Sequence, residues 1–62
     1  MYQATVTYVT EFTRERMTEV YSMRNMHNMQ SLVDTIKFAE TNLTHEHQET
    51  VSAEKIQIEA VE

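Results

Sequence analysis

The chain contains no cysteine, no glycine, no proline and no tryptophan. Without cysteine there are no disulfides and no thiolate metal sites, and three histidines are too few for a dedicated zinc fold. Without glycine there is no Gly-rich phosphate loop, and without glycine and proline no linker-like low complexity. Cationic side chains are also scarce. Lys+Arg 5 against Asp+Glu 10 gives a net charge of −5, the wrong sign for gripping nucleic acid through its phosphates. No apolar run approaches the ~18 residues of a membrane span, and Met1-Tyr2-Gln3-Ala4 lacks the basic start of a signal peptide. At 62 residues the chain has room for one domain, 1–62, with a thin core. The expectation is a small, acidic, cytoplasmic protein without cofactor or metal.

Periodicity divides what is present into segments. Over residues 2–12, Tyr2, Ala4, Val6, Tyr8, Thr10 and Phe12 share one parity, while Gln3, Thr5, Thr7, Val9 and Glu11 share the other. A two-residue period in Thr, Val and aromatics predicts a strand with the first set facing a core. Further on, Met29, Leu32, Val33, Ile36, Ala39 and Leu43 recur every three or four residues, the apolar stripe of an amphipathic helix. Asn28 suits its N-cap and Asn42 its C-terminus. Phe38 falls opposite the stripe, either exposed or marking a second packed side. Over residues 51–61, Ile56, Ile58 and Ala60 alternate with Lys55, Gln57 and Glu59, a second strand reached through the polar stretch 44–50.

Residues 13–27 admit two readings. With a turn at 13–16 and a strand at 17–24, the order is β-β-α-β, one helix on a three-stranded sheet. This loop lacks the Asn-Gly or Asp-Gly of tight hairpins, though a four-residue type I loop does not need them. Alternatively, Met17, Val20, Tyr21, Met26 and Met29 extend the helical stripe back to Thr13, since Arg, Glu and Met favour helices. The shorter helix is preferred on average helix length, and the expected fold class is α+β with a small antiparallel sheet of two or three strands. Thin core, exposed sheet edges and surplus Met and Tyr further imply self-association, as a homodimer.

Catalytic constellations are wanting. Ser22, Ser31 and Ser52 have no activating frame, and a chain this short has little room for the cleft that tunes paired carboxylates, so no enzyme is expected. In an extended segment His45, His47 and Glu49 would project to one side and could meet one divalent ion, but the plainer reading is a solvated loop. Met17, Met23, Met26 and Met29 form either irregular core filling or an adaptable surface. If Met23 and Met26 are exposed with Phe38, they make an apolar contact patch.

Charge is the most informative feature. Residues 1–39 balance to zero, whereas residues 40–62 carry Glu40, Glu46, Glu49, Glu54, Glu59 and Glu62 against Lys55 alone, the whole net −5. One reading is solubility; the other is an acidic face for a basic partner. Strand residues of one parity lie ~6.5–7 Å apart, near the phosphate spacing of a nucleic-acid strand, so such carboxylates could imitate a backbone.

A chain of this size and acidity lacking Cys, Gly and Pro looks like the small early proteins that bacteriophages direct against their hosts. In the β-β-α-β order, with the short amphipathic helix at 31–41, it resembles the RNA-polymerase inhibitors of some coliphages. In size and charge it is also similar to phage DNA mimics directed at nucleoid proteins such as HU. The resemblance implies host takeover: an inhibitor in the host cytoplasm that occludes a basic DNA-binding surface on a nucleoid protein or RNA polymerase, with neither nucleic acid nor membrane bound directly. No motif carries over, so contact residues are taken from charge alone: Glu46, Glu49, Glu54 and Glu59, with Glu40 and Glu62 at the margins. The alternative is a structural or regulatory module binding through its Met, Phe and Tyr surface.

Overall fold

The computed structural model describes residues 1–61, the Met26 side chain excepted. Strands β1 (Tyr2–Thr10) and β2 (Arg16–Met23) form a hairpin, a single 3₁₀ turn follows at Met26–Asn28, and helix α1 (Met29–His47) leads to strand β3 (Val51–Ala60). The three strands make one antiparallel sheet in the order β2-β1-β3, with α1 packed across one face. The fold is therefore α+β, and residues 13–27 take the extended reading rather than the long-helix one. The molecule is elongated, 37 × 17 × 13 Å.

β1 owes its central place to its sequence. Its even parity, Ala4, Val6, Tyr8 and Thr10, is fully buried under the helix, and Leu32 and Ile36 of α1 close the core from above with Met23 and Val51. Met29, Ala39 and Leu43 complete the helical stripe at its margins, and Met17 packs at the edge of the same core, so the described methionines of β2 and α1 fill space rather than coat a surface. Tyr8 buries its phenol completely and still finds a partner, the Tyr21 hydroxyl at 2.9 Å. Burial first, and the Tyr21 hydrogen bond second, push the Tyr8 phenol well above its ordinary range.

Local chemistry sets several boundaries differently from the pattern. β1 ends at Thr10, and Phe12 lies in the loop at 78% exposure instead of in the core. The Thr10 hydroxyl accepts the Glu15 N–H at 2.8 Å while the Glu15 carbonyl accepts the Thr10 N–H at 3.0 Å, which closes the hairpin over residues 11–14. Arg14 takes a left-handed conformation (φ 59) there, the conformation glycine would supply more cheaply. The helix runs past Asn42 to His47 and stops at Gln48, whose φ of 57 makes it the left-handed cap. Asn28 does occupy the N-cap position but without a capping bond: its side-chain oxygen accepts from the Asn25 N–H at 3.4 Å.

β1 and β3 slip register between Thr7 and Tyr8, with Thr7 opposite Lys55 but Tyr8 opposite Ala53. Glu54 is the extra residue, a bulge. No helix among the described residues is long and apolar enough to cross a membrane.

Candidate functional site

The structure gathers carboxylates at the pole where the β1–β2 loop meets the α1–β3 connection. Two backbone-directed contacts join them. The Glu11 N–H donates to the Thr50 carbonyl at 2.9 Å, and one oxygen of the Glu49 carboxylate accepts the N–H groups of Phe12 (2.8 Å) and Thr13 (3.1 Å). The other Glu49 oxygen accepts the Thr13 hydroxyl at 3.2 Å. Glu15 reaches within 3.8 Å of His47 Nδ1, an ion pair only when that imidazole is protonated. Glu11, Glu15, Glu46 and Glu49 thus sit at one end of the long axis with Arg14. The hairpin loop, drawn from the half of the chain that is neutral overall, supplies two of these four carboxylates.

Glu54 lies just below this pole on the uncovered face. Arg16 Nε donates to its Oε2 at 2.9 Å and Arg16 Nη2 to its Oε1 at 3.2 Å, a two-pronged pair. Because Arg16 belongs to β2 and Glu54 to β3, the pair straddles β1, with Val9 buried between Arg16 and Ser52 in the register below it. The guanidinium holds the Glu54 carboxyl below the usual carboxylate range, and the carboxylate in turn raises Arg16.

The six glutamates singled out by charge therefore do not form one face. Glu40 points from α1 to β3, where its Oε2 accepts the Ala53 N–H at 2.7 Å. Glu49 clasps the hairpin loop, and Glu54 is paired with Arg16. Glu59 stands opposite Gln3, five strand residues and ~16 Å from Glu54, towards the other pole. Glu62 lies outside the described residues. Of the set, Glu46 and Glu59 are exposed, and their side chains make no hydrogen bond or ion pair with another described residue. Among the apolar candidates, Phe38 is 70% exposed, Met23 is 5% exposed and belongs to the core, and the Met26 side chain lies outside the described residues. His45 and His47 are helical, not extended, so two residues apart they diverge instead of converging with Glu49. No cluster of His, Asp or Glu among the described residues has the geometry to hold a metal ion.

Glu49 gives the pole a pH-dependent stability. The Thr13 and Phe12 amides hold its carboxyl below the ordinary range. A depressed folded-state value stabilises the protein fully above the unfolded pKa of about 4.3 and loses that stabilisation as pH falls through the folded value. Glu54 contributes with the same sign. Thermal melts should therefore fall steadily between about pH 5 and pH 3. Glu49→Gln should begin lower at neutral pH and show a shallower acid dependence, and parallel curves for the two proteins would contradict the assignment.

No family model, curated protein or solved structure matches this chain.

Proposed function

We propose that the chain is a protein-binding inhibitor whose acidic pole occupies the DNA-binding surface of a basic protein, a nucleoid protein or RNA polymerase, and so excludes DNA. The observation that carries this reading is the convergence of Glu11 and Glu15 with Glu46 and Glu49, segments more than thirty residues apart in sequence, on one end of an elongated molecule. The other end, where β2 ends at Met23 beside Tyr2, carries Arg24 and His27 together with one described carboxylate, Glu59. Charge concentrated in this way steers a basic partner towards one pole.

Carboxylates free of bonds within the fold are the ones available to a partner. Glu11, Glu15 and Glu46 are exposed and hold nothing essential through their side chains, while Glu49 and Glu54 brace the loop and the sheet. The test is displacement of duplex DNA from an HU-type nucleoid protein and from RNA polymerase, each tried separately. The parent protein should displace DNA from one of them, less well as salt rises. A Glu11→Lys, Glu15→Lys, Glu46→Lys variant should fold normally and lose displacement by about tenfold or more, each pair at the rim being worth ~0.2–1 kcal/mol. Undiminished displacement by the folded variant defeats the acidic reading. Binding that ignores salt but is lost in Phe38→Ala would transfer the activity to the apolar surface.

A further inference from the structure

β3 is an edge strand, and only part of its edge is guarded. Hydrogen bonds from Val61 N–H to the Met1 carbonyl and from Glu11 N–H to the Thr50 carbonyl put the odd residues of β1 in bonded pairs with β3. Gln57 and Glu59 therefore direct their main-chain groups inward to β1, while Ile56, Ile58 and Ala60 direct theirs outward. At the start of the strand the outward groups are already taken. Thr44 Oγ1 accepts the Val51 N–H at 3.0 Å, and Glu40 accepts the Ala53 N–H. Beyond the bulge nothing among the described residues covers the edge, and Ile56 and Ile58, on the sheet face that carries the helix, remain 49% and 37% exposed.

We propose that this free stretch, residues 54–60, pairs antiparallel with the same stretch of a second copy, the two-fold axis passing through Gln57. Gln57 is the midpoint of the unguarded window, so this register uses all of it and stops where Glu40 begins. Ile56 then faces the partner's Ile58 in bonded pairs, and four isoleucines close over one another on the helix side. On the other face Lys55 meets the partner's Glu59 twice, by symmetry. Neighbouring registers are poorer. An axis one residue earlier, at Ile56, drives the partner strand under the Glu40 guard, one at Ile58 sets Lys55 against Val61, and one at Glu59 opposes two glutamates. The β2 edge is also less suited to self-pairing: an axis at Glu19 opposes like charges, and one at Val20 sets Arg16 against the partner's Arg24. The product is a six-stranded sheet, β2-β1-β3 continued into its copy, with the two acidic poles at opposite ends.

Sedimentation equilibrium at tens of micromolar should return a dimer mass. Lys55→Glu and Glu59→Lys, each singly, should keep the fold by circular dichroism and weaken self-association by about tenfold or more, because both symmetric pairs become like-charged. Mixing the two single variants should restore a heterodimer, since each then supplies what the other lacks. A monomeric parent at these concentrations overturns the proposal. So does a dimer that survives both single reversals, which would place the contact elsewhere, or a mixture that fails to recover.

Discussion

Replacing Ile36 with alanine should leave a large share of the chain unfolded well below the melting point of the parent. Ile36 and Leu32 are the buried residues of α1, and with Val6, Tyr8 and Val51 they make up most of the small core. Truncating a buried isoleucine costs about 2–5 kcal/mol, from lost transfer energy and from the cavity left behind. A chain of this length has roughly 3–9 kcal/mol in total, at about 0.05–0.15 kcal/mol per residue. The expected shift in melting temperature is about 10–30 °C, read by circular dichroism at 222 nm. Phe38→Ala, two positions further along the same helix, is the internal control. That side chain stands in solvent, and its loss should stay within about 0.5 kcal/mol. Equal effects at the two positions would mean that α1 is rotated on the sheet.

The second large effect is expected at Glu40. Its carboxylate accepts the Ala53 N–H at 2.7 Å beside the bulge, and Thr44, one turn on, receives the Val51 N–H. Alanine at position 40 leaves a partly buried amide unpaired, which costs about 1–3 kcal/mol. Glu40→Gln keeps an acceptor in place and should recover much of the loss. Amide exchange separates this from a diffuse change in helix stability. Ala53 should lose protection in Glu40→Ala by more than its β3 neighbours that bond to β1 lose it. Uniform loss along β3 would contradict the capping role.

β1, the helix and the second half of β3 were legible because each keeps one period, whereas the bulge at Glu54 switches the core parity of β3 from Val51 and Ala53 to Ile56 and Ile58. β1 alternates from Tyr2 to Tyr8, with Val9 as the one apolar residue on the outer parity, and the stripe from Met29 to Leu43 keeps helical spacing. β2 was ambiguous because Glu19 sits on the core parity, between Met17 and Tyr21, opposite Val6. Arg16, Met17 and Glu19 favour helices locally, and pairing with β1 overrides that preference. The overrun at the helix end has a local cause too. Thr41 back-bonds to the Lys37 carbonyl at 3.1 Å, Thr44 is used by β3, and Gln48 takes the left-handed turn that Asn42 also suits. The roles of Glu40, Glu49 and Glu54 left no trace in composition. Each depends on a contact 13 to 38 residues away, and counting charge along the chain treats a clasp, a cap and a free carboxylate alike.

The place of β1 between its two neighbours also orders events in time. The β1–β2 pair closes over a loop of a few residues, whereas the pairing of Thr10 with Val51 must bring together positions some forty residues apart. By chain entropy alone the second closure costs about 2 kcal/mol more than the first. On that difference the hairpin is expected to close first and β3 to dock last, with α1 shortening the search between them. Until it does, one side of the central strand stands open, and Glu49 has not yet reached the loop it will hold.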